Sequence, residues 1–194
     1  MPTDKLEKTL VSLDESAKNA FHLMDNLLNW SRSKLNRVTP KKVSFQLNNL
    51  VHETLGMFQT IINYKNLNLK VDLPPDVQLF ADPDIFTCVM RNLFSNAIKY
   101  TPEGGMIKIK AIVAHDFVTI KVEDNGTGIT PLEVQGLFNS TTSYTMPGLM
   151  NEKGSGLGLK LCREFTELNG GKIWADNTEK KGTRIHFTVP LVSA

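Results

Sequence analysis

Apolar positions near the N-terminus recur with a helical period. Leu6, Leu10, Leu13, Ala17, Ala20, Met24, Leu27 and Ser31 keep 4-3-4-3 spacing, and all but Ser31 are apolar. A seam of that kind predicts one long helix over 4–37 that wants a partner helix. Phe21, Leu28 and Leu35 broaden the apolar face beyond a two-stranded seam, so a bundle position fits better than a simple coiled coil. The competing arrangement packs this helix on its own domain. VTPKK at 38–42 ends the pattern, because proline and the residue before it both disfavour helix.

Beyond that break the period switches repeatedly. A short strand is predicted near 43–46, followed by a helix over 47–64. LNLKVDL at 67–73 alternates like a half-buried strand, and 77–81 reads as another. Asp82 and Pro83 supply the cap and first residue of a helix running to about Tyr100. MIKIKAIVA (106–114) and FVTIKVED (117–124) predict a hairpin about His115-Asp116. A short helix is expected at 131–138. Residues 139–155 are polar and Gly-rich without an apolar period, and a long loop inside a compact domain usually carries function or moves. A helix over 156–169, strands at 172–177 and 183–190, and a turn at 179–182 complete the chain. This order predicts an α/β fold, a two-layer α/β sandwich with a mostly antiparallel mixed sheet and helices on one face.

Composition narrows the function classes. The 194 residues are 41% apolar and 22% charged, as in a globular chain with a real core. A net charge of +2 is too mild to argue for nucleic acid or an anionic membrane. No apolar run approaches the ~18 residues of a membrane span, and no signal peptide is visible. The chain reads as cytoplasmic, without membrane contact of its own; an anchor of the parent protein would lie outside it. Cys88 and Cys162 sit in apolar helical patterns and read as buried free thiols. His22, His52, His115 and His186 are scattered without ligand-like spacing.

NEKGSGLGLKLCREF at 151–165 carries the first chemical signal. Gly154, Gly156 and Gly158 fall at every second position before an amphipathic helix. Backbone N–H groups and the helix dipole there suit an anion. A P-loop would need GxxxxGK[ST], which is missing, and GxGxxG from Gly154 would need a glycine where Leu159 stands. Asn92 and Asn96 lie one turn apart on an otherwise apolar helix, followed by Lys99 and Tyr100. Two amides on one stripe can hold a hydrated Mg²⁺ and phosphate oxygens. Asp124 ends a strand just before Gly126 and Gly128, where a carboxylate can accept from an exocyclic amine such as that of adenine.

These segments together resemble the sensor histidine kinases of two-component systems. NLFSNAIKYT (92–101) resembles their N box, DNGTGI (124–129) the first glycine box, and GSGLGL (154–159) the second. Phe138 sits where their F box would, Gly182-Thr183 resembles their last glycine motif, and the order agrees. The resemblance implies a Bergerat ATP-binding fold of the GHKL superfamily over 41–194. NLLNWSRSKLNRV (26–38) is similar to the end of the second helix of their dimerisation and phosphotransfer domain, which would occupy 1–40 in part.

The resemblance also implies roles. ATP and Mg²⁺ are the expected cofactors, with Asn96 the metal-binding residue and Asn92, Asn96 and Lys99 the catalytic set. Nucleotide contacts are implied for Asn92, Asn96, Lys99, Tyr100, Asp124, Gly126, Gly128, Ile129, Gly154, Ser155, Gly156, Leu157, Gly158 and Thr183, with 130–155 as a lid poorly ordered before nucleotide binds. The expected activity is transfer of the ATP γ-phosphoryl to a histidine, for relay to a response regulator receiver domain, in a protein that forms a homodimer through its helical domain. Related ATPases and anti-sigma serine kinases resemble ExxxN at the N box; Asn92 stands at the glutamate position, and an amide cannot act as a general base at neutral pH. A degenerate ATP-sensing module is the other class, but it would usually lack Asn96 or Asp124. Nothing here resembles the SHELRTPL-like acceptor motif, and His22 lacks its following acid and proline. The chain therefore reads as a second helix plus a catalytic domain that binds Mg-ATP, either self-associates through 4–37 or packs that helix on its own domain, and does not phosphorylate itself.

Overall fold

The computed structural model describes residues 39–130, 134, 136–138, 157–176 and 182–192. All of them fall in one compact unit, Thr39–Ala194. The helix expected over 4–37, most of the one at 131–138, the loop at 139–155 and most of the turn at 179–182 lie outside the described residues.

The described residues open with β1 (Val43–Gln46), α1 (Leu47–Gly56) and α2 (Gln59–Tyr64). It continues through β2 (Asn68–Asp72), β3 (Gln78–Ala81) and α3 (Pro83–Tyr100). The hairpin β4 (Met106–Ala114) and β5 (Phe117–Asp124) follows, then α4 (Gly158–Leu168), β6 (Ile173–Asp176) and β7 (Arg184–Pro190). The cap expected for α3 is in place. Asp82 Oδ1 accepts from the N–H groups of Asp84 (3.0 Å) and Ile85 (3.2 Å), and Pro83 takes the first helical position. His115 closes the hairpin with φ +51°.

Five strands form one sheet in the order β2-β4-β5-β7-β6. Only β2 and β4 run parallel; every other pair is antiparallel. Alternation in the strands sorts the two faces. Ile107, Ile109, Val118, Ile120, Val122, Ile185, Phe187 and Val189 are buried, and α3 and α4 pack over them and against each other. Phe86 of α3 joins the layers, with its ring 5.5 Å from Phe45 and 5.9 Å from Phe187. The opposite face is polar: Arg184 bonds Glu123 at 3.0 Å, and His186 meets Asp176 at 2.8 Å while stacking on Trp174.

Two expectations need correction. The helix predicted over 47–64 is two helices, broken at Met57 and Phe58. Gly56 is a poor helix former, and the chain turns there so that the Phe58 ring reaches Phe94 edge-on at 5.2 Å. Tertiary packing overrides a pattern that is helical on either side. Nor is the sheet continuous: β1 and β3 form a separate antiparallel pair, which among the described residues meets the chain just past β7 through a bridge between Leu79 and Leu191.

Candidate functional site

α3 carries the amide stripe along one side. Asn92 and Asn96 are both half-buried, among Val89, Leu93, Phe94 and Ala97 of the core. The Asn92 Nδ2 group donates to the Cys88 carbonyl at 2.9 Å and lies 3.6 Å from its sulfur. That bond fixes the amide, and its oxygen faces α4, where a Cβ on Gly158 would come within 2.9 Å of Asn92 Oδ1. A side chain there would have to displace the amide, so glycine is what lets the start of α4 approach α3. The N-cap residue Leu157 has no polar side chain with which to cap that helix, and a helix N-terminus suits an anion. The expected residues Gly154, Ser155 and Gly156 lie outside the described residues, as does most of the lid; Leu157 and Gly158 open α4.

The second half of the site sits where β5 ends. Asp124 is only 8% exposed. Its Oδ1 accepts from the Gly126 N–H at 2.9 Å and the Thr183 N–H at 3.2 Å, and the Thr183 hydroxyl also bonds the carboxylate. Burial pushes the carboxyl up to about 6, against the opposing pull of those donors. A carboxylate offers about four lone-pair sites, so these donors leave room for an amino group. Glycine is required twice in the surrounding cradle. A Cβ on Gly126 would run into the Tyr100 carbonyl, and Gly182, at φ +115°, would put one into the Asp124 carbonyl.

Both halves meet at the end of α3. The Tyr100 carbonyl accepts from the Thr127 N–H at 3.2 Å, so the first glycine box is tied to the helix that bears Asn92 and Asn96. Lys99 Nζ lies 5.2 Å from the centre of the Tyr100 ring. Thus Asn92, Asn96, Lys99 and Tyr100 share one helix, and Asp124, Gly126, Gly128 and Thr183 gather about its C-terminal end, with Ile129 next in the chain. Hard-oxygen and amide donors, an acceptor carboxylate and side-chain-free backbone fit a nucleotide.

Several supporting residues escaped the sequence reading. Asn125 Oδ1 accepts from Met106 N at 2.7 Å and pins the glycine box to β4. Asn169, 3% exposed, accepts from the Asp82 N–H at 2.9 Å and so joins the end of α4 to the start of α3. Lys65 is 6% exposed and donates to the carbonyls of Ile98 and Thr101. Each acts across the fold, so no local pattern marks it. Cys162 is buried as expected, its thiol pushed up by burial, but Cys88 is only half-buried; neither is in a disulfide among the described residues. Among the described residues, no group of histidine, cysteine and acidic side chains could hold a metal ion.

The sequence pattern of the histidine kinase-, DNA gyrase B-, and HSP90-like ATPases matches residues 81–193. The adaptive-response sensory kinase SasA of Crocosphaera subtropica is 31% identical over 98% of this chain and 51% of its own length. The chain spans about half the length of the curated relatives it matches. The catalytic domain of the histidine kinase ThkA superposes with a TM-score of 0.68 and 30% identity, covering 77% of this chain and 95% of that one. ThkA in complex with the response regulator TrrA matches 99% of this chain and 53% of that one, at 25% identity and a TM-score of 0.76.

Proposed function

We infer the function from one premise: this chain belongs to the histidine kinase-, DNA gyrase B-, and HSP90-like ATPases, as a sensor histidine kinase catalytic domain that binds ATP. The observation that carries the reading is Asp124, a buried carboxylate at a strand end, held by Gly126 and Thr183 with acceptor capacity to spare. Asp124 takes the adenine amino group, and the glycines about it keep the base against backbone. Asn92, Lys99 and Tyr100 line the phosphate and sugar side, with Ile129 beside the base. Gly154, Ser155, Gly156, Leu157 and Gly158 contact the phosphates beneath the lid.

The Asn96 amide oxygen is a hard donor of the kind Mg²⁺ prefers. When bound, the metal neutralises charge on the transferring phosphoryl group. Asn92 cannot take a proton from water, so the site is ill-suited to hydrolysis. A neutral imidazole needs no base: its lone pair attacks the γ-phosphorus, a nitrogen–phosphorus bond forms, and the bond to the bridging oxygen breaks to release ADP. The chain's own work is to hold ATP and aim its terminal phosphorus.

The acceptor histidine lies on a helix carrying the motif this sequence lacks, in the helical domain of which 1–40 is one part. That domain forms the homodimer, and the phosphoryl group passes on to a receiver domain; ThkA, a structural neighbour, forms a complex with the response regulator TrrA. Among the described residues, no helix is long and apolar enough to cross a membrane. The whole assembly is proposed to be cytoplasmic. Incubation with Mg-[γ-³²P]ATP and a separate helical hairpin bearing the acceptor tests this. Acid-labile label is expected on the hairpin and not on this chain; label on this chain, or on neither, contradicts the reading.

A further inference from the structure

Lys65 caps α2 and turns its side chain inward. The residue is 6% exposed, and its ammonium donates to the carbonyl of Ile98 at 2.6 Å and to that of Thr101 at 2.7 Å. Both carbonyls belong to the C-terminal turn of α3, where the helix cannot bond its own last acceptors. A cation there also complements the negative end of the helix. A buried lysine is rare unless paired, and two of this one's partners are backbone carbonyls.

The turn that Lys65 fixes is the junction of the nucleotide site. Between Ile98 and Thr101 stand Lys99 and Tyr100. The Tyr100 carbonyl receives the Thr127 N–H, and the backbone of Gly126 packs directly on it. The main chain of Lys65 reaches the same junction: its carbonyl accepts from the Gly104 N–H at 2.9 Å. Beside it, Gly105 packs on Thr101, and its carbonyl accepts from the Asn68 N–H at 2.8 Å. One side chain from a helix outside every motif thus sets where α3 stops, and with it where the first glycine box docks.

We propose that Lys65 is a positioning residue for nucleotide binding, acting through the end of α3 on Lys99, Tyr100 and the Gly126–Thr127 backbone. It touches no nucleotide. Losing its ammonium leaves two buried carbonyls short of a donor and frees the turn, so the phosphate-side and adenine-side contacts no longer hold one register. This rests on the nucleotide reading of the site given above.

The test is Mg-ATP affinity by calorimetry in the wild type, Lys65→Met, Lys65→Arg and a core truncation, Val118→Ala, chosen for a matching loss of melting temperature. Lys65→Met is expected to weaken ATP binding at least tenfold at a temperature where it stays folded. Lys65→Arg, which keeps charge and donors, is expected to restore most of that loss, and Val118→Ala to bind like the wild type. If Lys65→Met does not fold, Lys65→Gln, which loses the charge but keeps a donor, takes its place and is expected to bind several-fold more weakly than Val118→Ala at equal stability. Equal affinity in the Lys65 variants and Val118→Ala would overturn the proposal while leaving the ATP site intact. Absence of binding by the wild type would instead remove the functional reading beneath it.

Discussion

Asp124 shows how one side chain trades stability for binding. Its folded carboxyl lies at about 6 against an ordinary 3.8, with burial as the main cause. The folded chain therefore holds a proton more tightly than the unfolded chain. That contribution to stability is full below an ordinary aspartate's range and is lost as pH rises through about 6. At neutral pH the ionised group costs on the order of 3 kcal/mol. Asn would keep an acceptor for Gly126 and Thr183 without the charge. Asp124→Asn is expected to raise the melting temperature by about 3–8 °C at pH 7.5, with the gain vanishing near pH 4. The same substitution should weaken ATP binding more than tenfold, and the wild type should lose affinity as pH falls below 6. A gain over the wild type no larger at pH 7.5 than at pH 4, followed by calorimetric melting, would contradict this balance.

The helices show which boundaries local chemistry can announce. α3 was legible at both ends, because Asp82-Pro83 is a start signal and Tyr100 precedes a proline-containing turn. The break between α1 and α2 was not, since Phe58 leaves the helix to reach Phe94, a partner distant in sequence. The tie between α3 and α4 was equally hidden. Asn169 Oδ1 accepts from Asp82 N, its Nδ2 donates to Asp82 O at 3.3 Å, and Asp82 in turn caps α3 and accepts from Lys41 N at 2.7 Å. In sequence Asn169 is merely a polar residue before Gly170-Gly171. Asn169→Ala leaves the buried Asp82 N–H without its acceptor and is expected to cost about 1–3 kcal/mol. Urea unfolding should show a lower midpoint at unchanged slope. An unchanged midpoint would mean that packing alone sets the register of the two helices.

Across the molecule, the motifs were visible because each is contiguous: Asn92 to Thr101, Asp124 to Ile129, Gly154 to Leu159. What the sequence could not display is how they are made to converge. Lys65 and Asn169 do that from elements that look like ordinary surface, Asn125 does it from inside the first glycine box, and the cradle glycines Gly126 and Gly182 are read as essential only once Tyr100 and Asp124 are seen behind them. The sandwich itself followed from the order of periods, whereas the detachment of β1 and β3 from the main sheet depends on a long-range pairing that no strand pattern encodes. The central claim is that this convergence makes an adenine nucleotide site centred on Asp124. Its most direct test is calorimetric titration of Mg-ATP into the wild type and into Asp124→Ala. Binding in the micromolar to submillimolar range that disappears in the variant is the expected result. Equal binding by both chains, or none by a folded wild type, would contradict the account.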